Sequence, residues 1–286
     1  MIIFFPERSA LGAAEGLRLA AESAIVSLLP FAVFSSAVIS SGLDRVFAAV
    51  VSKVFVRLFN VSPYGAAAFV TGLLGGYPSG VKAVCDIYDK RLITREEAEK
   101  LLAFCNNSGI VFILSAAGIG AFKSLKAGIL LYSVHLLSAV VTGIVMRGSG
   151  FGSGTMSVRE EWEKYRKEKP SPMSVLGKSI SSSGSAMINV ASSIIVFNAI
   201  ISVFRLENVP LLCGLTEMTK GVFLAGDMGS LPLGALFLSW GGMSVHAQTA
   251  AITSKYDFKL KKYFLGKGIS AAIAFVVTYL LTIKRL

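Results

Sequence analysis

The 286 residues have a mean hydropathy of +0.67, with 53% hydrophobic and only 16% charged side chains. Soluble domains carry roughly 25% charged residues, so an ordinary soluble enzyme is excluded, as is a disordered chain. The formal net charge of +11 fits loops retained on the cytoplasmic face of a membrane better than nucleic-acid binding.

Apolar stretches of about 20 residues, each long enough to span hydrocarbon as a helix, recur along the chain. Repeated ten-residue alternating segments, the mark of a membrane β-barrel, do not. The expected class is therefore an all-α polytopic membrane protein. Cys85, Cys105 and Cys213 include no CxxC pair, and His135 and His246 are too few for a histidine metal cluster; no metal or other cofactor is expected. Pro6, Glu7 and Arg8 interrupt the apolar start, so no cleavable signal peptide is expected.

In chain order, residues 9–19 read as an interfacial lead-in helix, followed by a crossing over 20–41. Residues 43–59 place Leu43, Val46, Phe47, Val50, Val54 and Leu58 at helical spacing among Asp44, Arg45, Lys53 and Arg57. That pattern is amphipathic and predicts a second helix along the membrane surface. Residues 64–80 are apolar but glycine-rich and close on Gly75-Gly76-Tyr77-Pro78-Ser79-Gly80. Glycine and proline weaken a simple span, and polar sequence follows at once, so a re-entrant hairpin is expected. Thr94 and Glu97 form a capping-box pattern. The helix they start runs into Asn106-Asn107-Ser108-Gly109 before apolar character resumes to Phe122. Polar residues there imply a broken helix lining a cavity. A further crossing covers 127–146.

Residues 148–172 read as a glycine-, serine- and charge-rich linker between units 1–147 and 173–286. The second unit repeats the first: a crossing over 186–204, a glycine-interrupted hairpin over 209–226, and a crossing over 231–252 broken near Gly241-Gly242. A last crossing covers 263–283. Three crossings per unit is an odd number, so the copies enter the membrane from opposite sides as inverted repeats. Each then has a crossing helix, a re-entrant hairpin, a broken helix and a further crossing helix.

With the linker cytoplasmic, the inner loops collect Arg45, Lys53, Arg57, Lys90, Arg91, Arg95, Lys100, Arg147, Lys178, Lys255, Lys259, Lys261, Lys262, Lys267 and the linker cations. The outer side keeps Arg8, Arg18, Lys123, Lys126, Arg205, Lys284 and Arg285. This agrees with the positive-inside rule and puts both termini outside.

Paired interruptions in corresponding positions of two halves point to a solute site near the bilayer midplane. The candidate binding residues are Tyr77, Ser79, Asn106, Asn107, Ser108, Thr216, Glu217, Thr219, Ser244, His246 and Gln248. Glu217, a carboxylate at membrane depth, is the sharpest of them; the alternative is a structural partner for Lys220 or for freed backbone N–H groups. Asn106 and Asn107 bind a solute or cap the broken helix. Lys82 and Lys220 complement an anion or snorkel to the interface. His246 is a proton carrier or a packed histidine; Tyr77 stacks on a solute or packs. His135 reads as packing. No GxSxG elbow, Walker loop or HExxH motif occurs, so no catalytic residue is assigned and enzymatic activity is not expected.

Gly75 to Lys82, Phe104-Cys105-Asn106-Asn107-Ser108-Gly109, Gly214 to Gly221 and Gly241 to Gln248 together resemble the YlbJ-type sporulation integral membrane proteins. Those are part of the nucleoside-recognition (Gate) domain superfamily. The frame, with Leu29-Pro30-Phe31 at its first crossing, is similar more distantly to concentrative nucleoside transporters, whose hairpin tips and helix breaks hold the nucleoside. Gly76-Tyr77-Pro78-Ser79 stands where those transporters carry a glutamine and a glutamate, which weighs against a nucleoside. The resemblance implies a bacterial cell or forespore membrane, a homo-oligomer and an anionic heteroaromatic solute such as dipicolinate.

The expected function is a transporter or channel for a small polar, anionic or heteroaromatic solute. Sodium or proton coupling is left open. The competing class is a non-transporting assembly protein of sporulation.

Overall fold

The computed structural model describes residues 4–148, 154 and 156–283. The glycine- and serine-rich start of the expected linker (149–153 and 155) and the outer charges Lys284 and Arg285 lie outside the described residues. Among the described residues the secondary structure is helical throughout.

Helix α1 (Pro6–Leu19) passes through a π-helical turn at Ala20–Ile25 into α2 (Val26–Ser41). The expected lead-in helix over 9–19 thus runs on into the next helix without a loop. Gly12 and Gly16 explain why: they let α1 approach Asn198, Ser202 and Ile195 so closely that a Cβ on either would overlap them. Helix α2 stops at Gly42, whose φ of +85° is the left-handed cap that favours glycine. The chain then turns by 78° into α3 (Leu43–Phe59). Helix α3 is two-faced, burying Ala48, Ala49, Ser52, Phe55 and Phe59 while Phe47, Val50, Val54 and Leu58 stay exposed.

Helices α4 (Tyr64–Gly75) and α5 (Ser79–Asp89) form the first hairpin. Phe55 and Phe59 of α3, Phe69 of α4 and Phe104 of the next helix make one aromatic cluster, with ring centroids 4.5–6.2 Å apart. Helix α6 (Arg95–Cys105) starts on Thr94, whose hydroxyl accepts from Glu97 N at 3.2 Å. Only half of the expected capping box forms, because the Glu97 carboxylate instead accepts from Ser62 N at 2.5 Å. Residues 106–109 are not helical. A π-helical stretch, Phe112–Ala121, and α7 (Leu125–Val145) complete the first half.

The rest of the expected linker contains a helix, α8 (Val158–Glu168), capped by the Ser157 hydroxyl. Intrahelical pairs such as Arg159–Glu163 at 3.0 Å support it, and it lies against α3, where Ser52 Oγ reaches Met156 O at 3.5 Å. Helix α9 (Pro172–Phe204) is 33 residues long, starting well before the expected crossing because Ser171 caps it and Pro172 occupies its first turn. The second hairpin is α10 (Pro210–Thr216) and α11 (Met218–Asp227). Helices α12 (Leu231–Trp240) and α13 (Gly242–Thr253) form the second broken element, and α14 (Lys261–Ile283) ends the chain's helices. Among the described residues α7, α9 and α14 are each long and apolar enough to cross a membrane, and the bent α2–α3 pair adds up to one more. Both halves therefore present a long helix, a hairpin, a broken helix and a long helix, in that order.

Candidate functional site

Each hairpin tip rests on the helix break of its own half. Gly76, with φ +70°, sits so close to Gly109 that a Cβ would lie 2.9 Å from its amide nitrogen. Gly72 and Gly80 press on the Cys105 carbonyl, leaving no room for a side chain. In the second half, Gly242, with φ +75°, would bring a Cβ within 2.8 Å of Met218 N. Small residues are what permit this backbone-to-backbone approach.

The two tips and two breaks then surround one cavity of about 90 Å³, several times the space of roughly 10–15 Å³ that one water needs. From the first half it is lined by Gly75, Gly76, Tyr77, Ser108 and Gly109. From the second half Glu217, Met218, Thr219, Ser244, Val245 and Gln248 line it, and α2 and α9 close it with residues such as Ala32, Ser35, Met187 and Val190. Of the expected binding residues, Tyr77, Ser108, Glu217, Thr219, Ser244 and Gln248 are at this cavity. Gln248 Oε1 has no hydrogen-bond partner among the described residues.

Glu217 has a second occupation. As N-cap of α11, its Oε1 accepts from Thr219 N at 3.0 Å and its Oε2 from Lys220 N at 2.7 Å. The positive end of a helix dipole compensates the carboxylate. Lys220 is not part of the cavity lining; its ammonium pairs with Glu15 of α1 at 3.0 Å. The Thr216 hydroxyl turns back onto Leu212 O of its own helix.

Behind the cavity the remaining polar groups knit the halves together. Asn106 Nδ2 donates to Thr249 Oγ1 at 3.1 Å, whereas Asn107 Nδ2 donates to Phe104 O at 2.8 Å and caps the broken helix. Ser108 Oγ reaches Leu238 O at 3.4 Å. His246 pairs through Nδ1 with the Tyr263 hydroxyl at 2.8 Å and stacks edge-on with Trp240 instead of facing the cavity. His135, expected only to pack, holds the break: its Nε2 accepts from Ser108 N at 3.2 Å and its Nδ1 meets Ser239 Oγ at 3.0 Å.

Lys267 is a correction to the charge count. Counted with the inner loops, it instead lies inside α14 with 2% of its surface exposed. Its Nζ donates to Tyr77 Oη at 2.5 Å and to Asn106 O at 3.1 Å, and it stands 4.7 Å from the centre of the Tyr77 ring. Among the described residues no carboxylate pairs with it. Gly266 admits this packing, since a Cβ there would overlap the Ala103 carbonyl. The signal was present in the sequence: the lysine is one turn inside the expected crossing 263–283.

A second, larger chamber of about 640 Å³ lies on the α8 side of the first hairpin. Ser79 and Lys82 line it, with Asp44, Asp86, Glu161 and Lys164 among its charged groups, and Tyr77 and Met187 border both spaces. The two expected hairpin residues Ser79 and Lys82 are thus separated from the inner cavity.

Long apolar helices around an internal cavity, with buried glycine-bounded breaks, define an all-helical integral membrane protein. The chain is similar to the sporulation integral membrane protein YlbJ of Bacillus subtilis (strain 168), 29% identical over 331 aligned positions that cover 98% of this chain and 79% of the relative. The similarity extends over nearly the whole length of the chain. No protein-family model and no solved structure matches it.

Proposed function

We propose that the protein moves a small polar solute, anionic or heteroaromatic, across the membrane through the cavity where the hairpin tips and helix breaks converge. The observation that carries this reading is the lining itself: four interrupted segments, two from each half, present Tyr77, Ser108, Glu217, Thr219, Ser244 and Gln248 to one space. Structure-breaking backbone at membrane depth is tolerated where it lines a cavity, and transporters place their sites at such junctions. The matching order of elements supports reading the halves as inverted repeats, with the α8 linker cytoplasmic and both termini outside.

An anionic solute is favoured because Glu217 is already compensated by backbone N–H groups while Lys267 lacks a carboxylate partner among the described residues. The relative's name assigns that protein to sporulation; carried over, this chain works in the membrane of a sporulating cell, and we further propose that it does so as a homo-oligomer.

Full-length protein in liposomes, screened for uptake of dipicolinate, related aromatic acids and nucleosides, tests the reading. Saturable uptake that Gln248→Ala weakens without unfolding the protein supports it. Uptake of none of these by folded protein refutes it. The second reading, a non-transporting assembly protein, is favoured by Glu217 acting as a helix cap; in that case every cavity variant changes stability and none changes flux.

A further inference from the structure

We propose that Lys267 carries a proton whose binding is linked to the solute's, making the protein a proton–anion symporter. This rests on the transport reading above. The lysine lies buried on α14 at the junction of the halves, where an ammonium with no carboxylate partner among the described residues costs several kcal/mol. A negative group in the adjoining cavity offsets that cost, and the Tyr77 side chain stands at both places. Charging the lysine and binding an anion then favour each other, by thermodynamic reciprocity.

The surrounding hydrogen bonds accommodate both protonation states. As an ammonium, Lys267 donates to Asn106 O and to Tyr77 Oη, and the Tyr77 hydroxyl donates to Leu238 O at 3.2 Å. As an amine, it keeps the bond to Asn106 O while the Tyr77 hydroxyl swings round and donates into the nitrogen lone pair. One hydroxyl rotation is all the change requires.

The other titratable groups near the lysine are committed elsewhere. From α7 comes His135, which accepts the Ser108 N–H through Nε2 and keeps that bond only while that nitrogen is unprotonated. From α13 comes His246, paired with Tyr263 of α14 itself. The first hairpin supplies Tyr77, and α6 ends on the buried thiol of Cys105. Helix α12, the partner packed most extensively on α14, brings no titratable side chain. Glu217, the acid of the cavity, is bound to backbone N–H groups.

The transfer balances without any co-reactant. A hydronium ion entering the 640 Å³ chamber gives its proton to the Tyr77 hydroxyl and is left as water, while that hydroxyl passes its own proton to the Nζ lone pair; on release the N–H bond breaks and the proton leaves through the same hydroxyl to water in the inner cavity that Tyr77 also borders.

The test uses full-length protein in liposomes with dipicolinate as probe and a pH dye inside. An inward gradient of about one pH unit should raise accumulation about tenfold for one proton per solute, and the lumen should acidify in step with uptake. Lys267→Arg, which stays charged, and Lys267→Gln, which stays neutral, should both lose the response to the gradient. Wild-type uptake indifferent to the gradient, or Lys267→Arg responding like wild type, overturns the proton role and leaves the transport reading standing. No flux of any solute by folded protein overturns both.

Discussion

Glu217→Gln separates the two occupations of the carboxylate. In the native protein one oxygen accepts from Thr219 N at 3.0 Å and the other from Lys220 N at 2.7 Å. Glutamine keeps one acceptor but turns an amide nitrogen toward the second N–H, setting donor against donor. A hydrogen bond to a charged group contributes about 1.5–3 kcal/mol, and the lost charge at the helix N-terminus adds about 0.3–1. Relief of the buried carboxylate's desolvation offsets part of this, so a net loss of about 1–3 kcal/mol is expected. At about 2–4 °C per kcal/mol for a chain of this size, detergent-solubilised Glu217→Gln should unfold several degrees below wild type, read by loss of the monodisperse peak in heated samples on size exclusion. Should it unfold at the wild-type temperature while solute binding disappears, the carboxylate serves the solute and the capping argument is wrong.

The other expectations follow from the same packing. Gly80→Ala puts a methyl group into the Cys105 carbonyl, and overpacking of this kind costs about 1–3 kcal/mol; Gly268→Ala, facing open space, should stay within about 0.5 kcal/mol, and equal effects in thermal unfolding would refute the tip-on-break contact. His135→Ala strands the Ser108 N–H and leaves the Ser239 hydroxyl only Ser138 Oγ at 3.5 Å, so it should lower stability by about 1–3 kcal/mol and speed hydrogen exchange at Ser108; unchanged exchange there would sink the assignment. Asp257→Asn removes a partner of Arg95 that is itself 92% exposed, and exposed pairs contribute at most about 1 kcal/mol, so no measurable change in unfolding temperature at moderate salt is expected.

Several features were legible without coordinates because they depend on near neighbours. Apolar runs of helical length, the Thr94 cap and the polar break after Cys105 are all set by residues within a turn or two. Others failed for equally physical reasons. The charged part of the linker read only as a linker because composition alone hides α8, which needs the Ser157 cap and the Arg159–Glu163 pairing. The purpose of Gly12 and Gly16 in the first helix is visible only against α9. Lys220 looked available to a solute until α1 brought Glu15 beside it. Thr216 and Glu217 are adjacent, yet one turns back on α10 and the other faces the cavity, a difference set by the tip's backbone.

From its amino acids alone this chain is destined for lipid, and the places where its helices must break are written in glycine, proline and asparagine. Folding decided which polar groups meet: Lys267 with Tyr77 across 190 residues, Asn106 with Thr249 across 143, His135 with Ser239 across 104. Local propensity acts over a few residues, whereas these pairs depend on how whole helices dock. In a bilayer that docking is chosen partly because many buried polar groups, deprived of water, find their partners on another helix.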